Sequence, residues 1–474
     1  MIKITRLTKA LVSATALGGV MLGLVATATI APVMTGISGQ AFAASTDKDK
    51  RKYEDRKTRR TPALSEKIYK VLGKAQECAD ANDFVCAMQV LEDGLGYKLQ
   101  KLNSYERAQY YNFKGFLYYS QEKYGEALKA YGDVLRQENL PSAMEDTTVY
   151  TMAQLYFIKE DYNGSIRMML RWLEYQPAPT AQPLVLLGQA YYSLGTVDGI
   201  SEAAAAVHFN KGIPYIMQAV ELYKASGKQP KENWYLLLRV MYFEMKENQK
   251  VVDILELLVN KWPKKDYWLQ LAGMYGEMSS DAKSEKTREV LEKKQLATYE
   301  TAYRQGFLAK GSELVNMSQL YMYHEAPYWA SVVLEKGMKS GVIEKNKKSY
   351  ENLAQARINA QDMRQSLVPL RIAAELSKNG ELYKKLGQVY MQLDDYKNAA
   401  KYLGSALKKG GLKRRDTAAV YQGMCYFNLS QLDKARKSFE IAAKDKRSRK
   451  QARKWISYLT KEKKRLKQIK EFLG

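Results

Sequence analysis

Two histidines and one adjacent pair of aspartates are the first places to look for chemistry in this chain of 474 residues. His208 and His324 stand far apart, and no cysteine lies near either at the spacing of a zinc site. Asp394-Asp395 has the right residue type for paired carboxylates in acid/base work. It falls in a predicted turn just ahead of a helix, where acidic residues are favoured by the helix dipole. There is no G-x-x-x-x-G-K-[ST] phosphate loop, no dinucleotide G-x-G-x-x-G and no G-x-S-x-G elbow. The sequence therefore predicts no enzyme, no metal or cofactor and no small-molecule substrate.

The elements that fill the chain explain why. Residues 381–410, ELYKKLGQVYMQLDDYKNAAKYLGSALKKG, hold two amphipathic helices back to back. Leu382, Tyr383, Leu386, Val389 and Tyr390 share one apolar stripe, as do Ala399, Ala400, Leu403 and Ala406. Gly387 and Ala399 are small enough for the two helices to approach closely, and Tyr396 is placed to pack back across the joint. Such a hairpin cannot bury its apolar face alone.

Similar units recur along the chain. One has Tyr111, Gly115, Tyr118, Tyr124, Ala127 and Tyr131; the next has Ala153, Tyr156, Tyr162, Met169 and Pro177. Others carry Gly188 and Tyr191; Tyr235, Leu238, Tyr242, Leu255 and Pro263; and Trp268, Ala272 and Tyr275. Looser copies hold Tyr321, Ala330 and Leu334, then Leu353, Ala354, Leu370 and Ala373. A unit with Phe84, Ala87 and Leu91 comes first, and one with Gly423, Tyr426, Ala435, Phe439 and Ala442 comes last. This pattern resembles the tetratricopeptide repeat, whose unit of about 34 residues is small at place 8, aromatic at place 11 and Ala at place 20. The resemblance implies an all-α fold: a right-handed α-solenoid of about nine helical hairpins over residues 63–445. Two segments break the spacing, 193–214 and 276–295, and their Gly, Ser and charge clusters read as surface insertions.

The two ends differ from the repeats. Residues 1–43 have a basic start, an uncharged apolar run and Ala41-Phe42-Ala43, the pattern of a signal peptide cleaved after Ala43. An uncleaved inner-membrane anchor is the alternative. Cleavage would remove three cations from a formal charge of +24. Residues 44–62 then form a basic, disordered leader. In an exported chain, Cys78 and Cys86 at facing helix ends are either a disulfide or two small core residues. Cys425 reads as buried and unpaired. Residues 446–474 read as a basic amphipathic capping helix with an apolar stripe through Trp455, Ile456, Leu459, Leu466, Ile469 and Leu473. A sequence pI of about 9.5 suits nucleic acid, but export and dispersed charge argue against that partner.

A binding role is left. In the family that the repeats resemble, places 2, 5, 9, 12 and 13 of each first helix line a groove. Carried onto this chain, those places select Asn112, Phe116 and Tyr119; Tyr150, Gln154 and Phe157; Gln189 and Tyr192; and Asn233 and Phe243. Amides can bond a peptide backbone while aromatics supply rigid apolar contact. The Lys/Asn set that clamps a terminal carboxylate in some members is not reproduced; Lys384 with Gln388 comes nearest. The stretches ALSEKIYKVLGKAQE, YERAQYYNFKGFLYYSQEKYGEALKAYGDVL, KASGKQPKENWYLLL and KKDYWLQLAGMYGEM resemble exported repeat proteins encoded with TonB–ExbB–ExbD systems in proteobacteria. That resemblance implies a periplasmic scaffold with a TonB/ExbB/ExbD-type partner in outer-membrane import of iron chelates. The competing reading is an envelope protein whose basic termini bind peptidoglycan or an anionic lipid surface.

Overall fold

The computed structural model describes residues 61–176 and 178–473. The expected signal peptide, and the expected leader apart from residues 61 and 62, lie outside them. Every described element is helical, and no strand occurs among the described residues.

The helices come as consecutive pairs. α1 (Glu66–Asp80) and α2 (Phe84–Leu95) are followed by a short 3-10 segment, Gly96–Lys101. Then come α3 (Ser104–Ser120) with α4 (Tyr124–Leu135), α5 (Ser142–Ile158) with α6 (Tyr162–Glu174), and α7 (Ala181–Gly195) with α8 (Glu202–Ala225). α9 (Glu232–Glu244) pairs with α10 (Asn248–Lys261), and α11 (Lys265–Asp281) precedes α12 (Glu285–Arg304). The series ends with α13 (Gly311–Tyr323) and α14 (Pro327–Lys339), α15 (Lys347–Asn359) and α16 (Met363–Leu376), α17 (Glu381–Gln392) and α18 (Tyr396–Lys409), and α19 (Arg415–Asn428) and α20 (Leu432–Ala443). A long final helix, α21 (Lys446–Leu473), has no second helix. Among the described residues ten hairpins therefore precede α21, against about nine expected. The chain divides into two compact units, the first ending at Met274 and the second starting at Tyr275.

Eight hairpins turn in the same way. Asn82, Glu122, Glu160, Lys246, Glu325, Gln361, Asp394 and Ser430 each sit in the left-handed region with φ between 54° and 61°. The N–H of the following residue donates to the carbonyl five residues back: Lys123 to Tyr118, Asp161 to Tyr156, Asp395 to Tyr390, each at 2.9–3.0 Å. This bond satisfies a carbonyl that the ending helix would otherwise leave open. In three of the four turns where the next residue is Asp, its carboxylate starts the second helix, as Asp161 does for Gly164 N–H and Asp395 for Asn398 N–H, whereas Asp362 accepts from Arg357 instead.

The two hairpins without this turn are α7–α8 and α11–α12, where insertions were expected. The structure corrects that expectation, because both segments are largely helix. α8 begins at Glu202, not Tyr215, since the run EAAAAV has high helix propensity and Ser201 accepts from Ala204 N–H at its start. It continues through Pro214. α12 begins at Glu285, not Leu296, with Arg288–Glu285 and Lys293–Glu289 pairs along its polar face.

Within a hairpin, a small residue on the first helix meets a large one on the second. A Cβ added to Gly115 would lie 2.8 Å from the Tyr131 ring, one on Gly387 2.6 Å from Leu403, and one on Gly423 2.7 Å from Phe439. Tyr131, Leu403 and Phe439 are all buried. In the second unit, α21 closes the end. Its Trp455 stacks on Phe439 with ring centroids 5.2 Å apart, and Ala452 and Leu459 are buried against α19 and α20. Its N-terminus is tied down by Asp416 of α19. That buried carboxylate accepts two hydrogen bonds from Arg414 at 3.0 and 2.7 Å and one from Ser448 Oγ at 2.6 Å. The Arg414 guanidinium and the Ser448 hydroxyl hold its pKa far below the usual carboxylate range.

Candidate protein-binding surface

In the first unit, first helices touch one another, α1 with α3, α5 with α7 and α7 with α9. Side chains that point away from their second helices therefore share a face. The proposed groove residues fall on α3, α5, α7 and α9, and the structure separates them by environment.

Asn112 on α3 and Gln154 on α5 are half-buried, and neither amide hydrogen-bonds to another described residue. The aromatics are half-buried and pack inward as well. Phe116 lies on the cluster around Ile68, Leu91 and Leu117, with the Phe113 ring 5.8 Å away. Tyr119 packs on the cluster around Tyr131 and Leu155 and meets Tyr124 at 6.1 Å. Tyr150 meets Trp172 at 5.6 Å, Phe157 meets Tyr162 at 5.4 Å, and both lean on the cluster around Met169 and Leu187. Tyr192 stacks on Phe209 of α8 at 5.9 Å. Burial raises the Tyr150 and Tyr192 phenols above their ordinary value. Phe243 is half-buried, Gln189 is buried, and Asn233 Oδ1 is buried with no partner. The amides of α3 and α5 are thus the open part of the set, and the aromatics form both wall and core.

Other residues singled out from sequence fall in separate places. Cys78 and Cys86 are joined as a disulfide across the α1–α2 turn, with Cα atoms 5.8 Å apart. Cys78 holds the place that Tyr118, Tyr156, Tyr242, Tyr390 and Tyr426 hold in other hairpins. Cys425 is free and buried, and burial pushes its thiol up to about 11. His208 and His324 lie in different units, and no cluster of His, Cys, Asp or Glu able to hold a metal occurs among the described residues. Lys384 pairs with Glu381 at 2.5 Å, three residues away on its own helix.

Two arginines depart from the repeat pattern. Arg357 stands at the aromatic place of α15, where its guanidinium bonds Glu335 at 2.5 Å and Asp362 at 3.2 Å. Arg239 stands at the small place of α9 and is only 5% exposed, and its Nε has no partner. Burial lowers its pKa. An Arg where neighbouring hairpins have Gly or Ala was a signal available in the sequence.

Comparison with known proteins agrees with the repeat anatomy. A tetratricopeptide repeat family model matches residues 384–451. The match runs from α17 into α21 and includes the α17–α18 and α19–α20 hairpins. No curated protein matches the chain. Among solved structures, a tetratricopeptide repeat protein from Parabacteroides merdae is 14% identical, covering 69% of this chain and 100% of its own, with a TM-score of 0.32. The TPR2AB domain of yeast Sti1, solved as a complex with pHSP90, is also 14% identical, covering 61% and 99%, with a TM-score of 0.32. The Cut9–Hcn1 hetero-tetramer of the APC/C covers 85% and 91% at 14% identity, with a TM-score of 0.25. At scores this low, the partners of those proteins say nothing about the partners of this one.

Proposed function

We propose that the chain is a non-enzymatic protein-interaction scaffold whose first unit binds a partner segment along α3 and α5. The observation that carries this reading is the pair of open amides, Asn112 and Gln154, set among half-buried Phe116, Tyr119, Tyr150 and Phe157. An extended or helical peptide placed there would satisfy both amides and cover apolar ring surface. The resemblance in sequence to exported repeat proteins of TonB systems supplies the cellular setting: the periplasm, with a TonB–ExbB–ExbD-type complex as partner and iron-chelate import as the process served.

The test uses the amides, because truncating the aromatics would also open the core. A photo-crosslinking residue at position 112 or 154 should capture TonB, ExbB or ExbD in intact cells. The same residue at exposed Lys129 on α4 should not. Asn112→Ala with Gln154→Ala should weaken the purified complex by about 1 kcal/mol or more per amide in use. Equal capture from position 129, or unchanged affinity in the double variant, would remove the surface from consideration. Recovery of the protein in the cytosolic fraction would remove the periplasmic setting.

A further inference from the structure

The final helix carries a feature that the protein-binding reading does not use. Lys446, Lys450, Arg453, Lys454, Lys461 and Lys464 of α21 are all exposed, and none makes a hydrogen bond or ion pair with a described residue. At about 100° per residue these six cations fall on one side of the helix, opposite Ala452, Trp455 and Leu459. The row spans about 27 Å at about 1.5 Å per residue. Its neighbours are neutralised. Arg447 pairs with Asp445, Lys463 with Asp433, Arg465 with Glu462 and Lys467 with Glu471, while Arg449 donates to the Ala443 and Lys444 carbonyls. No acidic side chain falls on the row between Lys446 and Lys464: Glu462 points to another side and pairs with Arg465, and Glu471 lies past the end of the row and pairs with Lys467.

We propose that this row docks the protein onto an anionic lipid bilayer, with the phosphates of the headgroups as counter-ions. The chemistry of the face decides between a lipid surface and a protein. A protein partner is held by buried aromatic or apolar anchors at the centre of the contact, and the row has only Ser457 between its cations. The recess along it, lined by Lys446, Arg449, Lys450, Arg453, Lys454 and Ser457, is shallow and open. A plane of headgroups asks for nothing more than charge presented along a line. The opposite face of α21 is fixed to α19 and α20, so the helix would lie along the surface with its cations toward it. The proposal is independent of the α3–α5 surface, which lies in the other unit.

The experiment is co-sedimentation of the purified protein with phosphatidylcholine vesicles, with and without phosphatidylglycerol. Binding should need phosphatidylglycerol and weaken as salt rises. Each neutralised cation in the row should reduce it about fivefold. The variant Lys450→Gln, Arg453→Gln, Lys454→Gln, Lys461→Gln, Lys464→Gln should therefore lose detectable binding. A matched variant with five exposed lysines elsewhere changed to Gln (Lys129, Lys211, Lys261, Lys345 and Lys408) should keep most of it. Equal loss in both would mean that net charge alone acts, and would overturn the assignment to α21. So would no binding to either vesicle by a protein that does bind poly-glutamate, which would make the row a site for acidic protein.

Discussion

The α3–α4 hairpin contains two helical glycines that should respond differently to one substitution. Replacing Gly by Ala inside a helix gains about 1 kcal/mol from propensity alone. At Gly132 on α4 nothing opposes the gain, since the nearest atom to an added Cβ is Arg136 Nη1 at 4.0 Å. At Gly115 on α3 the Cβ would meet three atoms of the Tyr131 ring at 2.8, 2.9 and 3.0 Å. Carbon atoms rest at about 3.5–4.0 Å, so ring and helix must separate by nearly an ångström. Tyr131 is 3% exposed and packed in the cluster with Val134 and Leu155. Overpacking of this kind costs about 1–3 kcal/mol. Gly132→Ala should thus stabilise by about 1 kcal/mol, and Gly115→Ala should range from neutral to about 2 kcal/mol destabilising. The gap between them, about 1–3 kcal/mol, is the quantity to measure. Repeat arrays do not always unfold in one step, so the comparison belongs on the first urea transition followed by circular dichroism. If Gly115→Ala stabilises as much as Gly132→Ala, the helices do not approach as closely as described and the small-against-large account of the hairpin fails.

Two further outcomes follow from single groups. Arg239→Met should raise the thermal midpoint, because a buried cation without a counter-ion gives way to an apolar side chain of similar length, a change worth up to about 1–4 kcal/mol where it stabilises; a lower midpoint would mean that the guanidinium has a counterpart, with Tyr267, which acts on it electrostatically, the candidate. Asp416 is held ionised to lower pH in the folded chain than in the unfolded one, so its contribution is complete above about pH 4 and fades as acid approaches the depressed folded value. Asp416→Asn should therefore lose less stability between neutral pH and pH 3 than the parent does, and parallel losses would show that Asp416 does not govern the seating of α21.

Much of the fold was legible because each hairpin states its geometry locally. Gly387, Ala399 and Leu403 give the close approach, and the Asp394–Asp395 turn gives the reversal between α17 and α18. The two long hairpins were harder. Their Gly, Ser and charge clusters look like loops, yet the Ala run of α8 and the Glu/Lys pairs of α12 favour helix once a cap such as Ser201 or Ser284 starts it. The surface residues were legible only by family register. That register finds the first helices correctly as elements, but it cannot tell Gln154, whose amide is open, from Gln189, which is buried. The difference is one of burial, which the register of a single helix does not state.

The two misplaced arginines make the same point more sharply. Arg357 and Arg239 look alike in sequence, each a cation on a first helix at a place reserved for an uncharged residue. Arg357 is stabilised because Glu335, 22 residues earlier on α14, reaches its guanidinium while Asp362 closes the other side. Neither carboxylate would be chosen as its partner without the hairpins being stacked. Arg239 has no such neighbour, so it retains the desolvation cost without the Coulombic return. A repeat array tolerates that loss because each hairpin answers mainly to its neighbours and the remainder of the array holds the site in place. Position 239 is therefore where the first unit has given up local stability, and positions 335, 357 and 362 are where the second unit has kept it.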